Sequence, residues 1–499
     1  MRTVSSDRHA RRRTLAVGTT LLLTAPLALW SSAAGAAQPA IPFDLNGDGR
    51  AEVVVGVPTW DVSPAAEDTG AAVVLWGGRN RVQESLVHKG WQAIPGEPER
   101  GGAFGSAVAS ADFDLDGFAD LAVGEPWGDS TVEGTEVTYG SVTILYGSAR
   151  GLGDRVSRVL HGPHKGFGAS LIAADLSGDG RPDLAVGSPG DAPREEEDYG
   201  SGSVVVLEGN ASGFSLASSY VIPRPDAAMA AFGAQLAVGD VDSDGDLDLV
   251  EGAAGRQRWI DDPPVPGHVS YAAGAPGGPR TAVRLSTSAA GSLAVGDVTG
   301  DGYDDVVVGT PLVKPYTEDS PLPRGRVTLF RGSAGGPSTA AIHVNQASTG
   351  VPGSNERGDR FGASVDLTDL DRDGRLDVVV GAPGEDRGAG RITVVRGAAR
   401  GFAKRHNVVL DQRSDGIPGK PEGSDRFGEA VAVVDVNGDG RDDLVIGSPG
   451  EDRARGTVTV MELKGIFYVP RNVRSYSLES LNRRGGGAGK QFGSVLGGE

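Results

Sequence analysis

One nine-residue acidic segment occurs seven times along this chain, and no other feature limits the fold as much. It reads DLNGDGRAE from Asp44, DFDLDGFAD from Asp112, DLSGDGRPD from Asp175 and DVDSDGDLD from Asp240. Further copies are DVTGDGYDD from Asp297, DLDRDGRLD from Asp369 and DVNGDGRDD from Asp435. An apolar run follows each copy and ends on Gly twelve residues after the first Asp: Gly56, Gly124, Gly187, Gly252, Gly309, Gly381 and Gly447. A Pro stands two residues later in six copies, and Ala254 takes its place in the fourth.

Two more elements keep step with the acidic segment. Eight residues before its first Asp lies a Phe-Gly pair at Phe104, Phe167, Phe232, Phe361 and Phe427, replaced by Ala289-Ala290 in the fifth copy. After it comes an alternating run such as Gly140-Ser-Val-Thr-Ile-Leu-Tyr, the period of a half-buried strand. The unit is therefore strand, acidic loop, buried strand, variable loop, alternating strand and a ragged fourth segment. A short four-stranded sheet cannot bury both faces alone, and radial stacking of such sheets solves that. The expectation is an all-β, seven-bladed β-propeller over residues 37–499 with four-stranded blades. Closure is expected from the ends. Asp44 has no Phe-Gly before it, whereas Phe492-Gly493 has no acidic loop after it, so the C-terminal strand should complete the N-terminal blade.

The acidic segments read as calcium loops. Position 1 is Asp44, Asp112, Asp175, Asp240, Asp297, Asp369 and Asp435. Position 3 is Asn46, Asp114, Ser177, Asp242, Thr299, Asp371 and Asn437; position 5 is Asp48, Asp116, Asp179, Asp244, Asp301, Asp373 and Asp439. The Gly at position 6 allows a sharp bend, position 7 offers its carbonyl, and position 9 (Glu52, Asp120, Asp183, Asp248, Asp305, Asp377, Asp443) closes the shell. Hard cations of Ca²⁺ size take six to eight such oxygens. Ser177 and Thr299 are poorer ligands, so several ions are expected in five stronger and two weaker loops, with Kd near ~10⁻⁴–10⁻³ M. Position 12 is apolar, as at Val55, Val123 and Val186, which excludes an EF-hand.

The Phe-Gly pairs, acidic loops and Gly-x-Pro endings resemble the FG-GAP repeat family, to which the integrin α head belongs, over essentially all of 43–499. The resemblance implies loops between the first and second strands on the lower face, structural calcium, and ligands on the opposite face.

Residues 1–36 read as a signal peptide: Arg2, Arg8 and Arg11 to Arg13, an apolar run from Leu15 to Trp30, and an Ala34-Gly35-Ala36 cleavage site. No stop-transfer pattern follows, so the mature chain should hold no membrane span and be secreted or extracellular, at the cell surface or in the medium. There is no Cys, hence no disulfide staple. Removing the leader's five Arg and one Asp takes the net charge from −19 to about −23, the opposite of a nucleic-acid footprint.

No GxSxG elbow, HExxH helix or Walker A loop is present, and His161 with His164 are too few for a zinc site. Arg357-Gly358-Asp359 aligns with Gly423 to Asp425 before the next Phe-Gly and reads as repeat punctuation. The loops after Gly-x-Pro in blades one to five each carry an aromatic: Trp60, Trp127, Tyr199, Trp259 and Tyr316. These rings form the candidate ligand face, against packing on the blade tops. The function expected is a monomeric, non-enzymatic binding or adhesion module for a glycan or protein. The alternative is a polysaccharide lyase or hydrolase with its site on the top face.

Overall fold

The computed structural model describes residues 40–497 except 64–65, 78–82, 92, 129, 133–134, 138, 191–201, 211–212, 215, 227–230, 254–266, 288, 312–324, 465–468 and 482–488. The candidate leader, Ala254, Tyr199, Trp259 and Tyr316 lie outside the described residues. No helix among those described is long and apolar enough to cross a membrane.

Seven four-stranded antiparallel sheets follow one another as the blades of a β-propeller. In blade two, Ala107–Ala111 pairs with Asp120–Glu125, which pairs with Ser141–Leu145, which pairs with Arg158–His161. The acidic loop joins the first two strands, and the Gly-x-Pro loop at the opposite end joins the second to the third. Every second strand is buried along its whole length, as its largely apolar run requires.

The recurring glycine is explained by the next blade. A Cβ on Gly56 would lie 2.0 Å from the Gly105 carbonyl oxygen, and one on Gly447 would lie 1.8 Å from that of Gly493. Only a residue without a side chain lets the following Phe-Gly backbone approach so closely. The Phe of that pair is then driven between blades; Phe104, Phe167, Phe232, Phe361 and Phe492 are all fully buried. In the fifth blade Ala289 stands in the place of the Phe and is half-buried, Ala290 stands in the place of the Gly and is fully buried, and the strand Ser292–Gly296 still forms. The residue before each Phe is left-handed even where it is not Gly: Ala103, Ala231, Arg360, Arg426 and Gln491 have φ of 58°, 58°, 57°, 60° and 51°.

The circle closes as the chain ends anticipated. Val55 pairs with Leu496 and Gly56 with Val495, placing Val495–Leu496 as the first strand of blade one beside Val53–Val57. Gly497 N–H donates to the Val54 carbonyl at 2.9 Å.

Candidate metal centres

All seven acidic loops share one backbone scaffold. The position-1 Asp accepts the N–H of position 5 on one oxygen and that of position 6 on the other, as Asp112 does from Asp116 (3.0 Å) and Gly117 (2.9 Å). Asp44, Asp175, Asp240, Asp297, Asp369 and Asp435 repeat this pair of bonds. The bend needs left-handed backbone at position 6, where Gly117 has φ +93°.

Position 4 is left-handed as well, which the spacing of acidic residues did not reveal. It is Gly in four loops but Leu115, Ser243 and Arg372 in the others, with φ of 57°, 58° and 61°. Such residues cost about 1–3 kcal/mol each and persist only where the surroundings enforce them. Those three loops are the ones with Asp at position 3. They are also the ones where three carboxylates converge within 4.8 Å: Asp112, Asp114 and Asp120; Asp240, Asp242 and Asp248; Asp369, Asp371 and Asp373.

Among the five loops expected to bind more strongly, the two with Asn at position 3 are arranged differently. Asn46 turns its Nδ2 to Glu52 Oε1 at 2.9 Å and its Oδ1 to its own loop, accepting Asp48 N–H. Asn437 Nδ2 likewise donates to Asp443 Oδ2 at 3.2 Å. An amide that spends its N–H on the position-9 carboxylate closes the loop internally. The poorer ligands Ser177 and Thr299 instead give backbone N–H to Asp183 (2.8 Å) and Asp305 (2.9 Å).

Position 9 does more than face the loop. Asp120 accepts Phe113 N–H on Oδ2 (3.0 Å) and Gly147 N–H on Oδ1 (2.9 Å), tying the loop to the end of the third strand. Burial pushes Asp120 and Glu52 up to about 8 and Asp443 up to about 7, with neighbouring carboxylates adding to each. Burial also takes Asp305 to about 6. Arginines supply counter-charge in some loops: Arg155 pairs with Asp114, Arg396 with Asp371, and Arg331 with Asp301 at 2.5 Å. Among the described residues no cation pairs with the carboxylates of loop four.

Such raised carboxylates set the sign of a pH effect. Their folded-state pKa values exceed the ordinary ones near 4, so the native fold holds protons that the unfolded chain has released, and stability falls as pH rises from about 4 to 8. Metal-stripped protein should melt progressively lower between pH 5 and pH 8, and saturating Ca²⁺ should flatten the trend by favouring the ionised forms. Melting curves at four pH values check this; a stripped protein that gains stability with pH would contradict it.

On the opposite face two of the five loop aromatics, Trp60 and Trp127, fall among the described residues. Trp60 is 5% exposed and packed into the blade-one core, so it is a packing residue. Its loop folds back, Gly70 N–H reaching the Trp60 carbonyl. Trp127 is half-buried. Asp359 of the Arg-Gly-Asp sequence is 3% exposed and accepts Glu356 N–H at 2.6 Å, as Asp425 accepts Glu422 N–H at 2.6 Å. Each of the two supports a short left-handed turn, Asp386 to Gly388 and Asp452 to Ala454, through Gly384 and Gly450 N–H on the Asp359 and Asp425 carbonyls. Of the tripeptide only Asp359 turns inward, while Arg357 and Gly358 are exposed.

The FG-GAP repeat model matches residues 37–75, 104–145, 167–207, 289–330, 361–395 and 427–461, passing over the fourth blade. Phosphatidylinositol-glycan-specific phospholipase D of Bos taurus is 36% identical over 154 residues, covering 29% of this chain and 18% of that protein. Integrin alpha-IIb of Homo sapiens is 36% identical over 166 residues, covering 32% and 15% respectively. The chain thus spans less than a fifth of the length of these relatives. An arabinoxylan arabinofuranohydrolase from Bacillus subtilis aligns over 72% of this chain and 78% of its own, at 11% identity and a TM-score of 0.32, which carries no argument about activity. With its repeats matched in six blades and the blade architecture present in all seven, the chain belongs to the FG-GAP repeat family of integrin-like β-propellers.

Proposed function

We propose that this is an exported, calcium-stabilised propeller acting as a non-enzymatic binding module for a glycan or a protein. One observation supports it above the others. The position-1 and position-9 carboxylates are turned onto the N–H groups of their own loops and strand ends, the disposition of a cation cage rather than of an acid and base facing a substrate. In that reading the groups Asp112, Asp114 and Asp120; Asp240, Asp242 and Asp248; and Asp369, Asp371 and Asp373 hold Ca²⁺, which neutralises carboxylates that otherwise repel one another. The basic-then-apolar leader supports export.

A glycan and protein array probed with and without Ca²⁺ tests the reading. Retained ligand with calcium and loss on chelation are expected; turnover of a glycan, or no retained ligand at all, would sink it. Trp127→Ala then locates the ligand. If the half-buried ring is a binding anchor, its loss should weaken binding by about 2 kcal/mol or more with little change in melting. Trp60→Ala should do the reverse, losing roughly 3–5 kcal/mol of folding stability. Running a melt and a titration on both variants separates the roles.

A further inference from the structure

The third strands of blades two to six end on a glycine whose N–H donates to the position-9 carboxylate of the same blade. The bonds run from Gly147 to Asp120 (2.9 Å), Gly209 to Asp183 (2.7 Å), Gly274 to Asp248 (2.6 Å), Gly332 to Asp305 (3.0 Å) and Gly397 to Asp377 (3.1 Å). Blade one repeats the bond with Gly77 and Glu52. Blade seven abandons this closure. Its third strand runs on through Thr457–Lys464 and pairs with Val469–Ser477, and the register shifts between Val460 and Glu462. Bulges of this kind re-aim side chains beside functional sites. Glu462 stands at the same offset from Gly447 that Arg396 has from Gly381, so a carboxylate replaces the guanidinium that blade six puts there.

The result is a cavity of about 480 Å³ between blade seven and blade one, on the acidic-loop face. That volume lies in the roughly 300–1,000 Å³ range of small-molecule sites. Trp76 and Tyr476 line it together with Arg50, Arg474, Glu462 and Asn472. Its polar wall is a chain of amides and carboxylates: Asn437 Nδ2 sits 3.2 Å from Asp443 and 3.4 Å from Glu462 Oε1, and Asn472 Nδ2 donates to the same Oε1 at 2.7 Å. Both amides spend their contacts on Oε1, which leaves Glu462 Oε2 without a protein hydrogen bond among the described residues. The Arg474 guanidinium makes no hydrogen bond or ion pair with the described residues while lining the same space.

From this we infer that the seam between blades one and seven is a binding site for a neutral mono- or disaccharide. Sugar hydroxyls are donor and acceptor at once, so one can give to Glu462 Oε2 while a neighbour accepts from the Arg474 guanidinium. The C–H faces of a pyranose ring suit the aromatic walls. An acidic sugar is disfavoured because Asp439, Asp443 and Glu462 line the same cavity. The inference rests on the binding-module reading, but it places the sugar on the face opposite the one that the aromatic loops suggested.

The full chain is titrated with lactose, maltose, cellobiose and trehalose by calorimetry and tryptophan fluorescence, with galacturonic acid as the acidic comparison. At least one neutral disaccharide should bind saturably. Arg474→Ala and Glu462→Gln should each weaken it tenfold or more without moving the melting temperature. Arg474 is exposed and its guanidinium unpartnered among the described residues, so its variant should fold normally. Absence of saturable binding, or wild-type affinity in both variants, overturns the site. So does a loss produced by Trp127→Ala alone, which would put the sugar on the opposite face. A protein ligand on the array with no sugar bound at the seam leaves the module reading standing while this site falls, whereas an empty array removes the module reading itself.

Discussion

Deleting Lys490–Glu499 should lower the melting temperature of the whole propeller by on the order of 10 °C in a single transition, and drive the protein toward aggregation. The segment fills three places at once. Phe492 is fully buried in the blade-one core, where removing such a ring costs roughly 3–5 kcal/mol. Val495–Leu496 is the partner of Val53–Val57, and its loss leaves an apolar, fully buried strand with an open edge. Lys490 Nζ reaches Asp61 at 2.5 Å, and its carbonyl takes the Thr59 hydroxyl at 2.7 Å, so the loop above loses its tether too. Calorimetry with size-exclusion chromatography reads the outcome, and Phe492→Ala alone should account for a large part of the shift. A truncated protein that melts like the full chain would refute closure through this strand.

Complete removal of Ca²⁺ should produce an effect of similar size. A cation bound only by the native state stabilises it by about 2.7 kcal/mol when its free concentration is a hundred times Kd. Three independent sites would therefore contribute up to about 8 kcal/mol. Loop four should show the largest single contribution, since its converging carboxylates have no cation partner among the described residues. Asp242→Ala should remove about a third of the calcium-dependent stabilisation, whereas Ser177→Ala should change it little. The comparison needs melting curves of metal-stripped and calcium-saturated protein for each variant. Identical curves with and without calcium, after verified stripping, would falsify the calcium reading of these loops.

Much of this architecture was legible in the linear chain because its causes are local or periodic. A Gly that must face a neighbouring backbone, a Phe that must enter the gap between blades, and an Asp that must cap its own loop each recur at fixed offsets, whatever the rest of the blade does. Closure was legible for the same reason: Phe492 and Asp44 are the two halves of one repeat. Position 4 of the loops was readable in principle, as Leu115, Ser243 and Arg372 stand where the other copies have Gly. Its meaning appears only once the backbone there is seen to be left-handed.

What tertiary structure alone decided lies where a side chain meets a different blade or a distant strand. Trp60 and Trp127 occupy equivalent loops, yet one ring is core and the other half-buried, because burial depends on how each loop folds over its own sheet. Asn46 and Asp114 hold the same position, yet the amide bonds across its loop while the carboxylate joins a cluster, a difference of donor chemistry expressed through geometry. The seam cavity could not be read from the chain at all. It arises because the third strand of blade seven continues past the point where its counterparts turn, and the space this opens is bounded by residues more than 350 positions apart, such as Trp76 and Glu462. Repetition determined the circle; where one blade departs from its neighbours, only the packing of the whole ring determined the site.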